Sequence, residues 1–307
     1  MHALASRTMQ SPVQAALLAA LFALLSLLLP PASLLSSAVV GLRTLRNGLQ
    51  DGALVMGMAG LTCLLVGLFA LGGGWAFGAL VIGLWLPLWL LGGVLRHSRS
   101  LALTLMAGLL LGGMLIAGYQ LSGNDQASEW RKLLTPVAES LDQAQVLAPG
   151  GKERLLEVLS RWMTGILVTG FFLQAVASLL LARWWQAMLY NPGGFRQEFH
   201  QLRLPTGLGV ATLALLLANA WLGQGEGTTL EFIALLLLAA FLLQGLALVH
   251  GLLGLWEAKP GWLIAFYLLW LLALPQMVTA LATAGLVDAW FDFRARVRGR
   301  KGAGGTN

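Results

Sequence analysis

Residues 232–256 read FIALLLLAAFLLQGLALVHGLLGLW, a stretch without one Asp, Glu, Lys or Arg. A helix needs about 20 apolar residues to cross a hydrocarbon layer roughly 30 Å thick, and this run supplies them. It is apolar all round instead of alternating, which excludes a transmembrane strand, and a lone helix is the other way to bond every backbone group inside lipid. Six more charge-free runs of this kind lie at 8–42, 52–95, 100–124, 162–182, 204–225 and 260–287. The run 52–95 is long enough for two helices, with Gly72, Gly73 and Gly74 as the turn between them. The spans therefore fall near 13–29, 52–71, 76–95, 101–121, 162–182, 205–222, 231–254 and 262–284. Residues 32–42, after Pro30-Pro31, form an extra apolar stretch too short to span, and Pro275 divides the last segment.

The composition agrees. Of 307 residues 58% are hydrophobic and 10% charged, against about 25% charged in soluble domains. A soluble globule and a disordered chain are excluded, and Cys63 alone cannot staple a fold. Residues 1–7 carry one Arg before the first apolar stretch, but that stretch is long and lacks a small-residue cleavage site, so it reads as an uncleaved first helix. The expected fold is an all-α polytopic transmembrane bundle of eight or nine membrane segments. It forms one integral membrane domain: an N-terminal half at 1–121 of about four helices, an external connection at 122–161, and a C-terminal half at 162–301 with a basic tail.

The net charge of +6 is divided among short loops, which speaks for a positive-inside bias and against nucleic acid. Arg96 and Arg99 mark one cytoplasmic loop and Arg183, Arg196 and Arg203 another. The connection 122–161, with five basic and six acidic residues, then lies outside, as does the loop 223–230 with Glu226. Eight plain crossings would put the basic tail, Arg294 to Lys301, outside as well. A turn at Pro275 into two short passes or a re-entrant pair repairs the count, provided that the pair is buried among neighbours. Within the connection, Trp130, Leu133, Leu134, Val137 and Leu141 recur at helical spacing, and Thr135-Pro136 reads as an N-cap with a helix-starting proline. Residues 152–161 extend the fifth helix beyond the bilayer. Trp75, Trp85, Trp162, Trp184, Trp185, Trp221, Trp256 and Trp262 sit near span ends, as an aromatic belt does. Small residues four apart, such as Gly108 and Gly112, allow close helix packing.

Catalytic motifs are lacking: no H-E-x-x-H, G-x-S-x-G, Walker A loop or C-x-x-C is present, and His2, His97, His200 and His250 are scattered. The chain is expected to be neither an enzyme nor its own ATPase, without cofactor or metal. Three polar sets remain. Arg43, Arg46, Asn47 and Asp51 lie within nine residues between apolar segments, and read either as an ordinary loop or as an anion-attracting vestibule for a solute. Gln244, His250 and Asp288 lie at membrane depth, where a polar group needs a partner; for His250 the choices are a backbone carbonyl or a proton or substrate contact, and a structural pair of Asp292 with Arg296, four residues apart, is expected in the tail. Phe195, Phe199 and Leu202 form an apolar stripe opposite Arg196 and Arg203, a short interfacial helix that is a docking surface or an anchor.

Two stretches carry a family likeness: Arg183-Trp184-Trp185 with Tyr190-Asn191-Pro192-Gly193-Gly194-Phe195-Arg196, and the terminal Gly285-Leu286-Val287-Asp288-Ala289-Trp290-Phe291-Asp292-Phe293-Arg294. Together they resemble the YybS-like family of bacterial integral membrane proteins, a domain of unknown function, over about residues 12–298. There is a weaker resemblance to the S-components of energy-coupling-factor vitamin transporters. The likeness implies a bacterial inner-membrane location and small-solute binding or transport, with the lipid bilayer as partner and an ATPase pair if the chain is a transporter component. The rival expectation is a scaffold that organises other membrane or envelope proteins.

Overall fold

Inside lipid each N–H and C=O must find its partner in its own segment or in a packed neighbour, and this chain answers with helices throughout. The computed structural model describes residues 1–70, 74–123, 125–222 and 227–304, with side chains for all of these except 70, 74–77, 79–82 and 300–304. The turn expected at Gly72 and Gly73, the loop residue Glu226, and the side chains of Trp75 and Lys301 lie outside that description. In chain order the helices are α1 (His2–Gln10), α2 (Pro12–Leu25), α3 (Ala32–Asn47), α4 (Leu49–Ala70), α5 (Gly74–Ser98), α6 (Leu101–Leu121) and α7 (Gln126–Gln143). They continue as α8 (Gly151–Tyr190), α9 (Gly194–His200), α10 (Thr206–Leu222), α11 (Thr229–Leu255), α12 (Gly261–Leu272), α13 (Leu274–Phe291) and α14 (Phe293–Gly304).

Among the described residues four helices, α4, α6, α8 and α11, are long and apolar enough to cross a membrane. The pair α12 and α13, bent by 119°, makes a fifth if it counts as one span, while α2 and α10 are apolar but shorter. The expectation of eight or nine segments is thus met only in its helical class. For α2, with 14 residues, and α10, with 17, the reason is length, since at 1.5 Å per residue neither reaches 30 Å; α5 has 25 residues, of which the side chains of 74–77 and 79–82 lie outside the described ones.

The N-terminal surprise is α3. It runs back antiparallel along α2: the Ser36 hydroxyl donates to the Ala19 carbonyl at 2.7 Å, and Arg43 reaches the Met9 carbonyl at 3.5 Å. Ala38, Val39, Val40 and Leu42 are wholly buried, so this is a central helix despite its serines and arginines. Several of its polar groups are matched locally, since Trp85 Nε1 donates to Ser36 Oγ at 3.0 Å and Thr44 back-bonds to Val40, while the buried Ser37 hydroxyl has no hydrogen-bond partner among the described residues. Trp85 and Trp185 are fully buried core residues, not belt residues, whereas Trp184, Trp221, Trp256 and Trp262 stand exposed.

The C-terminal half has a matching device. α13 packs along α11 so closely that a Cβ on Gly285 would collide with the Phe241 carbonyl and lie 2.7 Å from the Gly245 nitrogen. α12 starts just past the end of α11 and is tied to it by a 2.8 Å hydrogen bond between Tyr267 and His250. α13 ends beside His200 and Arg203. The division expected at Pro275 is thus a bend of 119° at Ala273, with Pro275 in the first turn of α13.

At the opposite end α7 packs on the extended start of α8, with Trp130 Nε1 donating to Thr164 at 2.8 Å. Its N-cap is Asp125, whose carboxylate accepts from Ser128 N. The helix runs unbroken through Pro136, so the start expected at Thr135-Pro136 is corrected. Thr135 instead bonds back to Arg131, and the helix continues past the proline. α8 is 40 residues long, about 60 Å and twice a bilayer core, as the charged extension required.

These contacts collect Arg43, Arg96, Arg183, Arg203 and Arg294 at one end of the molecule, here called the basic end. Because α3 returns to it, the N-terminus belongs there too. In a Cys63→Ser background, cysteines at Gln10 and Gln197 should label from one side of a sealed vesicle and one at Gln143 from the other. Gln10 labelling together with Gln143 would mean that α2 crosses alone and α3 does not return.

Candidate functional site

The vestibule residues expected between α3 and α4 are divided by the fold. Arg43 is 3% exposed and grips Asp51 with two bonds, Nε at 2.6 Å and Nη2 at 2.7 Å, while Asn47 donates to the same carboxylate at 3.3 Å. That pair locks the α3–α4 turn and offers nothing to a solute. Arg46 points away, its guanidinium 4.0 Å above the Tyr190 ring.

Arg46 instead enters a larger setting. An open cavity of about 430 Å³ lies at the basic end where α3, α5, α8 and α9 meet, and it is lined by Arg46, Arg96, Arg99, Arg183, Gln186 and Glu198 with two leucines. Each cation has a different employment. Arg96 Nη1 donates to the carbonyls of Leu45 and Arg46 at 2.7 and 2.6 Å, capping the otherwise unsatisfied end of α3. Arg183 holds Glu198 of α9 through Nε at 2.9 Å and through Nη2, and also reaches Gln186 at 2.9 Å. Arg99 sits in the α5–α6 turn with φ +53°, exposed, and makes no ion pair among the described residues. Four guanidinium groups thus face one carboxylate. At an apolar boundary such an excess attracts anions more strongly than it would in bulk water.

The membrane-depth set resolves into a closed network. Asp288, fully buried, accepts from Arg294 Nη2 at 2.7 Å, Gln244 Nε2 at 3.1 Å and the Phe293 backbone at 3.1 Å. Gln244 Oε1 accepts from Leu204 N at 2.8 Å, and Arg294 also donates to the His200 carbonyl at 2.8 Å. Every group is matched, which marks a structural joint between α11, α13, α14 and the loop before α10. The expected Asp292–Arg296 pair does not form: Asp292, at φ +42°, binds Arg203 at 2.8 Å, and Arg296 lies over Phe291 at 5.1 Å. The left-handed residue turns the chain and caps α14: Arg296 N bonds the Asp292 carbonyl at 3.2 Å, but the Asp292 carboxylate is shared by Ala295 N at 3.1 Å and Arg203, which leaves it engaged away from the Arg296 side chain. His250 has no contact with Gln244 and bonds Tyr267 instead, where a backbone carbonyl was one of the two expectations.

On α9 the apolar stripe is turned inward. Phe195 stacks on Phe199 at 5.8 Å, Phe199 meets His250 edge-on at 5.7 Å, and Leu202 is buried, so the stripe anchors the loop to α11. Arg203 is taken by Asp292 and the Ala289 carbonyl. Arg196 alone of the four docking candidates stands exposed without a hydrogen bond or ion pair among the described residues. Beside it the His200 imidazole is pushed down to about 4, first by burial and then by the charges of Arg196, His250 and Arg294. It is neutral at neutral pH.

A family model described as Predicted membrane protein (DUF2232) matches residues 16–289. That description carries no activity, and neither the YybS-like name nor a likeness to S-components comes with it. No curated protein and no solved structure matches the chain.

Proposed function

The chain belongs to the DUF2232 family of predicted membrane proteins, and we propose that it is a non-catalytic component that binds a small anionic solute at the arginine-lined cavity, as a step in transport or sensing. One observation carries this reading: Arg46, Arg96, Arg99 and Arg183 converge on a cavity of about 430 Å³ that holds a single carboxylate, a volume within the range of small-molecule sites. By the positive-inside rule the basic end faces the cytoplasm of a bacterial inner membrane, so the solute is a cytoplasmic one. An ATPase pair is the partner that the transport version requires.

The test compares purified protein in neutral detergent with pyrophosphate, citrate or chloride at equal ionic strength. Pyrophosphate or citrate should raise the melting temperature, and Arg99→Gln should remove the rise while leaving the anion-free melting unchanged, because an exposed, unpaired side chain contributes within about 0.5 kcal/mol of nothing to the fold. An equal rise in parent and variant, or none with any anion, would overturn the site.

The scaffold reading has one feature in its favour at the other end, where Leu133 and Val137 of α7 stand exposed. Leu133→Ser with Val137→Ser is then the variant that should lose co-purifying envelope proteins.

A further inference from the structure

A second pair of cavities lies on the other side of α9, away from the arginine-lined one. The larger, about 570 Å³, is walled by the end of α8, α9, α11 and α12, with Leu180, Trp184, Met188, Phe195, Phe199 and Tyr267 facing it. The smaller, about 420 Å³, holds Arg196, Arg294 and Arg298 with Gln197 and Gln201. They are contiguous, because Gly193, Arg196 and His200 line both. The result is one elongated site, apolar at one end and cationic at the other.

Its two ends suit different parts of one molecule. Arg294 is already committed to Asp288 and the His200 carbonyl. Arg196 and Arg298 make no ion pair among the described residues, and no carboxylate lines either cavity. His200, held neutral between them, adds a polar group without adding charge. The apolar end opens on the surface that α12 presents, where Trp262, Ile264, Leu268 and Leu271 are exposed over a wholly apolar helix. Trp184 and Tyr267, which line this cavity, are exposed, and amphipathic rings of this kind are enriched at headgroup level. The Tyr267–His250 hydrogen bond fixes α12 as the wall.

We propose that this paired cavity binds one anionic phospholipid from the bilayer, its phosphate between Arg196 and Arg298 and its chain against Trp184, Phe195 and Tyr267. A free phosphate would leave the apolar volume unused. A zwitterionic lipid would leave both cations uncompensated, and each basic residue near a membrane surface favours an anionic headgroup.

The test uses the full chain in neutral detergent with phosphatidylglycerol, phosphatidylcholine of the same chains, and glycerol 3-phosphate as the headgroup alone. Native mass spectrometry counts the retained lipid, and melting temperature reports stabilisation. Phosphatidylglycerol should be retained in preference to phosphatidylcholine, and the preference should fall about five-fold for each of Arg196→Gln and Arg298→Gln. Arg131→Gln at the opposite end and Arg99→Gln in the other cavity should leave it unchanged. Equal retention of the two lipids, stabilisation by glycerol 3-phosphate as large as by the lipid, or a preference that survives the double variant would overturn the proposal. A preference lost with Arg99→Gln would overturn it too, by placing the lipid in the arginine-lined cavity. Because the two cavities share no lining residue, anion stabilisation through Arg99 stands or fails separately.

Discussion

Asp288→Ala is expected to destabilise the protein by about 3–5 kcal/mol, the penalty of leaving a buried guanidinium without its partner. Arg294 is 4% exposed and Asp288 not at all. The Asp288 carboxylate gathers a cation and a backbone N–H from the start of α14 and an amide from α11. Removal would also orphan Gln244 Nε2 in surroundings where water cannot replace the lost bond. In a protein of this size the melting temperature should fall by roughly 10 °C. Cys63, the lone and buried cysteine, makes the measurement direct: a thiol-reactive dye reports its exposure as the bundle opens. Asp288→Ala with Arg294→Met should recover a good part of the loss, since an apolar pair of similar volume removes the unpaired charge. A single variant within about 1 kcal/mol of the parent would show that the network contributes nothing to stability.

Gly285→Ala should cost nearly as much, about 3 kcal/mol, through packing alone. Its added methyl would strike the Phe241 carbonyl and the turn of α11 at Gly245, and a backbone atom cannot swing aside as a side-chain tip can. α11 and α13 would have to separate, which would also lengthen the Gln244–Asp288 bond. Gly170→Ala on α8, where nothing lies within 4 Å of the added atom, is the matched control and should be neutral or slightly stabilising. Equal melting of the two variants would mean that α11 and α13 do not depend on this close approach.

The close approach itself had a weak signal in the chain. Gly245 has no small residue four positions away and Gly285 has only Ala289, so a search for spaced glycine pairs passes over them and selects Gly108 and Gly112, which meet side chains of Phe172 and Leu236. Backbone contact between two helices requires only one glycine on each at the crossing point, and which two glycines face each other is a property of the pair of helices. The arginine cavity was similarly half legible. Arg46 and the loops holding Arg96, Arg99 and Arg183 were visible as cytoplasmic charge, but Arg43 and Asp51 drew attention by their density and proved to satisfy each other. A salt bridge and an open charge look alike as letters.

By itself the sequence determined the solvent and therefore the class: long charge-free runs can exist only as lipid-embedded helices, so all-helical structure, the extended α8 and the gathering of basic loops at one end followed from hydropathy and charge. Tertiary structure alone decided how the chain turns at its two ends. Hydropathy does not show α3, because a helix shielded by α2, α4, α5 and α8 need not be apolar: Ser33, Ser36 and Arg43 meet partners in those neighbours and in the stretch before α2. The inward stripe of α9, the Asp288 joint and the cavities beside them depend on residues up to 94 positions apart. Hydropathy along one segment cannot contain them, because each polar group there is tolerated only through a partner that another helix brings.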